Sequence, residues 1–290
     1  MRAATAMVSE RVLCPSFIGR AAELEHLRAR RRLAGDGFGG GVLVTGEAGI
    51  GKSRLLREFQ DGLTAAWTQS ASTACCEVVQ RPLEPLAEVF AQLLPDDHMA
   101  SWKTLSKLEQ FDAIVAAVER IERRRTAVVF IEDVHWGDIE LVQILAELVR
   151  RAANQRIVFV LSCRDNEITA SHPLFAAMGK VLREPALSRL ALDPLDGDET
   201  ARLLHDALGA RAPLDAPTLH AIGRRSSGNP LFAEELLRHA IDHRCDRATA
   251  AARALPQSLQ AVVLERLSGC TPQERAFLDA AAIFGQRFRI

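Results

Sequence analysis

Gly46-Glu47-Ala48-Gly49-Ile50-Gly51-Lys52-Ser53 sets three glycines, a lysine and a hydroxyl within eight residues, in the pattern G-x-x-x-x-G-K-S. Each residue type has a chemical reason. A chain of phosphates needs several donors in a concave array. Backbone N–H groups supply them where the lack of a Cβ lets the chain turn tightly. A helix opening near Lys52 directs its dipole and free N–H groups at the same anion. Lys52 then reaches the β- and γ-phosphates as a point charge, and the Ser53 hydroxyl suits a Mg²⁺ ion. Leu55, just inside the helix, is counted with the loop among the cofactor-binding residues. The chain has only four lysines (Lys52, Lys103, Lys107 and Lys180), so the position of Lys52 carries weight.

Val128-Val129-Phe130-Ile131-Glu132-Asp133 is an apolar run ending in two carboxylates. A buried strand can offer an acid to a metal only at its C-terminal tip, where ligands of open α/β sheets bind. One acid suits Mg²⁺, and the other suits orienting or deprotonating a water. Side chains alternate along a strand, so only one of the two faces the phosphate loop, and Glu132 and Asp133 remain equal candidates. His135 either serves the cleft or fixes a loop by hydrogen bonds. Arg164 ends the run "RIVFVLSC", where it would read a γ-phosphate or pair with Asp165 or Glu167. Gly228-Asn229-Pro230 is a turn opening a helix with proline at its start.

These residues need an alternating framework to hold them. "VLVT" (42–45), "TAVVFIED" (126–133) and "RIVFVLSCR" (156–164) read as buried strands, "AAWTQSAST" (65–73) as a second strand and "SRLALDPL" (188–195) as a fifth. Between them lie helical patterns at 17–33, with Leu24, Leu27 and Leu33 on the apolar side, and at 82–94, 107–125 and 138–152. Strands alternating with such helices imply a parallel sheet covered on both faces, an α/β fold of the P-loop NTPase kind. Beyond residue 195 the strand signal stops and only helical patterns follow, at "DGDETARLLHDAL", "APTLHAIGRRS", "PLFAEELLRHAI" and "SLQAVVLERLS".

Composition narrows the function classes. Across 290 residues, 36 basic side chains face 37 acidic ones, so no net field draws the chain to nucleic acid or to a membrane surface. Six cysteines at 14, 75, 76, 163, 245 and 270 contain no C-x-x-C pair and read as reduced, cytoplasmic thiols. The N-terminus shows no signal-peptide apolar core, and no run of about 18 apolar residues exists to span a membrane. No G-x-S-x-G supports a hydrolase triad, and His239 and His243 read as surface histidines without a third metal ligand.

"FIGRAAELEHL", "GEAGIGKSRLL", "VVFIEDVHWGD", "LSCRDNE" and "SSGNPLFAEELL", in this order, resemble the STAND class of AAA+ ATPases. The closest likeness is to the ATPase module of large LuxR-type bacterial transcriptional regulators, over residues 15–290. The resemblance implies that Phe17, Ile18, Gly19 and Arg20 contact adenine, that Arg164 senses phosphate, and that Pro230 packs on the base from a helical lid. It implies ATP/ADP and Mg²⁺ as cofactors, slow hydrolysis, and a switch in which ADP holds a closed state and ATP together with an inducer permits self-association. The expected division is a leader and adenine-contacting helix (1–35), a P-loop NTPase core (36–195), a lid (196–255) and an incomplete winged-helix subdomain (256–290). Glu132 departs from the family, where aspartate is common. Sensor and helix-turn-helix parts do not follow, so the chain reads as a fragment with no direct nucleic-acid contact of its own. The rival readings are a fast AAA+ remodelling ATPase and a nucleotide-binding module without hydrolysis.

Overall fold

Five runs of the sequence become parallel strands: β1 Gly40–Thr45, β2 Thr68–Ala74, β3 Thr126–Glu132, β4 Ile157–Cys163 and β5 Leu187–Ala191. They form one sheet in the order β2-β3-β4-β1-β5, with every neighbouring pair parallel. The computed structural model describes residues 14–63, 68–76, 83–94, 107–122, 125–164, 167–168, 170, 172–209, 214–242 and 271–282. β1, β3 and β4 lie inside the sheet with both faces covered, which is why they read as unbroken apolar runs. The edge strands β2 (TQSASTA) and β5 (LSRLA) are more polar and partly exposed.

Helices α1 Ala21–Gly35, α2 Lys52–Asp61, α3 Glu84–Leu93, α4 Lys107–Glu122, α5 Ile139–Ala152 and α6 Phe175–Val181 cover this sheet. Val129 and Ile131 of β3 and Phe159 and Leu161 of β4 pack with α3 to α6. Alternation turns Val128, Phe130, Val158 and Val160 to the opposite face. There Phe59 of α2 meets Phe130 edge to face, with ring centres 5.9 Å apart.

Several boundaries differ from expectation for local reasons. The helix expected over 17–33 starts only at Ala21, because Gly19 (φ 70°) and Arg20 (φ 62°) take left-handed backbone. Its apolar side is Leu24, Leu27 and Ala34, while Leu33 is 43% exposed. β3 stops at Glu132, since Asp133 (φ 54°) is left-handed and turns into a short 3-10 segment, Val134–Trp136. β5 ends at Ala191, after which Leu192 donates its N–H to the Thr45 carbonyl. α6 had no sequence expectation.

The chain divides into two compact units. Gly19–Asp193 forms the sheet unit, and the described residues of 1–18 and 194–290 form a helical one. In the helical unit, α7 Gly197–Leu208, α8 Ala216–Ser226 and α9 Pro230–Asp242 enclose Leu203, Leu204, Ile222 and Leu237. Asp196 caps α7 in a box with Glu199, and Asp215 caps α8. Cys14 joins this core, its N–H donating to Glu234 and its thiol to Asp206. Pro272–Ala282 forms α10, with Phe277 50% exposed. "SLQAVVLERLS" and most of 256–290 lie outside the described residues, as does His243, while His239 is half-buried.

Candidate phosphate-binding site

β1 delivers the chain into the glycine loop at the C-terminal edge of the sheet, and α2 leaves it. Gly46, Gly49 and Gly51 hold φ values of 149°, 78° and 104°. A Cβ at Gly46 would sit 3.0 Å from Ile50 Cγ2 and 3.1 Å from the Leu192 carbonyl oxygen, so the loop has no room there for a side chain. Gly51 is the N-cap of α2 and brings no side chain to cap it. This is the condition for an anion to take that place. α5, by contrast, is capped by Asp138, which accepts the Leu141 N–H at 2.6 Å.

Lys52 is 7% exposed and folds across the loop. Its Nζ donates to the carbonyl oxygens of Gly46 at 2.7 Å and Glu47 at 2.9 Å. A buried ammonium must be satisfied, and the loop's own carbonyls do this. Glu47 is exposed, Ala48 and Gly49 are half-buried and Ile50 is buried. Ser53 is exposed on the first turn of α2. Leu55 is wholly buried beneath that helix, with its N–H donated to the Gly51 carbonyl. Arg20 braces the loop from outside, donating to the Ile50 carbonyl at 3.5 Å and the Asp193 carbonyl at 2.5 Å.

Strand parity separates the two acids. Glu132 follows Val128 and Phe130 onto the α2 face, where the Ser53 hydroxyl donates to its carboxylate. Burial raises the Glu132 pKa. The Ser53 hydrogen bond and the charges of Arg57 and Lys52 pull it back, and Asp133 pushes it further up. Asp133 leaves the strand, and its N–H donates to Ser162 Oγ at 3.0 Å. Ser162 was not among the expected site residues. Its one signal was a hydroxyl at the end of an otherwise apolar strand, and sheet order gives that position meaning. β4 lies between β1 and β3, so its tip stands between the glycine loop and the acids.

Beyond Ser162, Arg164 lies over the Trp136 ring at 5.0 Å and pairs with Glu167 at 2.5 Å. Of the two partners the sequence left open, Glu167 is the one seen here, while Asp165 lies outside the described residues. His135 is buried, and its Nδ1 accepts the Arg164 N–H at 3.5 Å. The proton of the neutral ring then falls on Nε2, which is 3.1 Å from Glu167 Oε2 but off the line of a hydrogen bond. Burial holds the His135 pKa down to about 4 despite nearby Asp133, and the charges of Arg164 and Lys52 lower it further. His135 therefore fixes a loop as a neutral ring. Of the expected adenine contacts, Phe17 and Ile18 belong to the helical unit, and Gly19 and Arg20 to the sheet unit. Pro230 opens α9 after a locked turn, in which Gly228 accepts the Leu195 N–H at 2.9 Å.

The donor set fits a nucleotide with Mg²⁺. A hydroxyl and a carboxylate are already paired at the head of an uncapped helix, and both are hard oxygen donors. No group of three or more His, Cys, Asp or Glu able to hold a metal occurs among the described residues. Magnesium does not need one, since it binds through one or two protein ligands, water and phosphate.

A parallel sheet with a glycine loop after its first strand and an acid at the tip of a strand beyond its neighbour defines a P-loop NTPase. A family model described as the AAA ATPase domain matches residues 16–161, and the chain belongs to that family. An uncharacterized protein of Rhizobium meliloti (strain 1021), R02095, is 31% identical over 246 residues, covering 69% of this chain. The chain spans only 22% of that relative's length. Among solved structures, the Walker-type ATPase PABY2304 of Pyrococcus abyssi aligns with a TM-score of 0.58 at 14% identity, over 94% of this chain and 86% of that one. Drosophila ORC bound to DNA aligns at 0.55 and 16%, over 93% and 70%. The Aeropyrum pernix ORC1 protein in complex with DNA aligns at 0.53 and 16%, over 88% and 68%. At these identities the likeness is one of fold. Among the described residues no helix is long and apolar enough to cross a membrane.

Proposed function

We propose that this chain is an ATP/ADP-binding switch that hydrolyses ATP slowly, the nucleotide module of a STAND-class, LuxR-type transcriptional regulator acting in the cytoplasm. The observation that carries the nucleotide reading is the Ser53–Glu132 pair at the head of α2, beside a glycine loop spanned by Lys52. In this reading Lys52 exchanges the Gly46 and Glu47 carbonyls for phosphate oxygens. Ser53 and Glu132 hold Mg²⁺, which when bound neutralises phosphate charge. Asp133, which leaves the strand through its left-handed backbone with its N–H on Ser162, is left to orient the attacking water. Arg164 reads the terminal phosphate. The order of the five motifs supports the STAND assignment. The same resemblance makes Phe17, Ile18, Gly19, Arg20 and Pro230 the adenine contacts, gives α7 to α9 the role of a lid, and makes self-association a property of the ATP state.

Titration of the purified chain with ATP and ADP, with and without Mg²⁺, tests this. Both nucleotides bind, and Lys52→Ala weakens binding about 10- to 100-fold, the range for losing a charge-assisted contact. Wild-type affinity surviving in Lys52→Ala would sink the reading. Turnover well below about 1 s⁻¹ separates a switch from a remodelling motor, and no turnover at all would favour a module that only binds.

A further inference from the structure

Arg164 has a fixed backbone and a held side chain. Its N–H is donated to buried His135, so the main chain past β4 is tied to the segment past β3. Its guanidinium lies over the Trp136 ring and is paired with Glu167, the two side chains of the pair being 17% and 32% exposed. Trp136 is itself packed against His135, with ring centres 4.9 Å apart. The second oxygen of Glu167 stands beside His135 Nε2. A carboxylate and an aromatic face thus hold the cation at the strand tip between the glycine loop and the acids, and both stand beside the buried His135 ring.

We propose that Glu167, which stands beside His135 and pairs with Arg164 over the Trp136 ring, is a specificity-determining latch. It competes with the terminal phosphate of ATP for the Arg164 guanidinium and thereby sets how strongly the site prefers ATP over ADP. The proposal rests on the nucleotide reading above and adds to it a residue that touches neither base nor phosphate. With the backbone of Arg164 tied down, only its side chain swings. A γ-phosphate must draw the guanidinium off both the carboxylate and the ring. ADP has no such group and leaves the latch shut. The cost of opening therefore falls on ATP alone, because a ligand's apparent affinity is reduced by the fraction of molecules in the competent state.

The experiment measures ATP and ADP affinities separately for wild type, Glu167→Gln, Trp136→Leu, Arg164→Ala and the double variant Arg164→Ala/Glu167→Gln. Glu167→Gln keeps the size and removes the charge. It tightens ATP about fivefold, the worth of a half-buried ion pair, and leaves ADP within twofold. Trp136→Leu shifts the ratio in the same direction. In the Arg164→Ala background the Glu167 substitution changes nothing. A purely structural Glu167 would alter both affinities together, or only the melting temperature, and that result overturns the latch. So does a gain in ATP affinity that persists without Arg164. A wild type that binds neither nucleotide overturns the nucleotide reading and the latch with it. Wild type binding both, with the ratio unmoved in Glu167→Gln, overturns the latch alone.

Discussion

Glu132 serves two opposed demands. Its carboxylate sits where burial disfavours charge and raises its pKa, yet it is the acid that Ser53 meets. A buried charge tolerated at the cost of stability is a mark of a site, because substitutions there trade function for stability. Glu132→Gln keeps the Ser53 contact and removes the charge. It raises Tm by about 2–4 °C, as expected for a gain of about 1 kcal/mol in a chain of this size, and abolishes the dependence of ATP affinity on Mg²⁺. Calorimetry and a magnesium titration read the two effects, and a lower Tm would contradict the conflict. The glycine loop, Lys52 and the two acids stood out in the sequence by residue type and spacing, and the structure puts the loop at the end of β1 and the acids at the end of β3. Which acid faced the loop was not legible, since it depends on which face of the sheet α2 covers. Ser162 was silent for a related reason: a lone hydroxyl matters only once sheet order puts β4 between β1 and β3. For Arg164 the spacing allowed an ion pair with Asp165 or Glu167, and the contact with Glu167 appears only once the segment past β4 is folded beside Trp136.

At the scale of elements, buried parallel strands announce themselves as apolar runs, and β1, β3 and β4 fall where those runs lie. Helix ends were less legible. The left-handed Gly19-Arg20 step delays α1, and a short helix such as α6 carries too few turns for periodicity to speak. The turn before α9 gives the sharpest test. At Gly228 φ is 77°, and a Cβ there would lie 2.2 Å from the Leu195 carbonyl oxygen. Gly228→Ala must displace backbone, and it destabilises the helical unit by about 2 kcal/mol or more. Hydrogen exchange is expected to rise across α7 to α9, and unchanged protection in α9 would show that the turn relaxes without penalty.

Across the whole chain, alkaline stability is governed by few groups. There are no tyrosines and only four lysines, so thiols dominate titration above neutrality. Burial, aided by Asp206, pushes the Cys14 thiol up to about 12, and burial with Asp133 and Asp138 nearby does the same for Cys75. Both are protonated, folded or unfolded, below about pH 9. As pH rises through 9 towards 12 the unfolded chain ionises first, and stability falls across that window. Urea midpoints at pH 7.5, 9.5 and 10.5 should therefore decline, and Cys14→Ala/Cys75→Ala should flatten the slope. Exposed Cys76 should alkylate well before Cys14 or Cys75. The strand order has a consequence of its own. β4 is a shim between the cradle on β1 and the carboxylate on β3, two strand spacings or about 10 Å apart. Its tail sets that gap, so a change in the width or slant of this single ribbon retunes the alignment of both halves while leaving the loop and the carboxylate themselves unaltered.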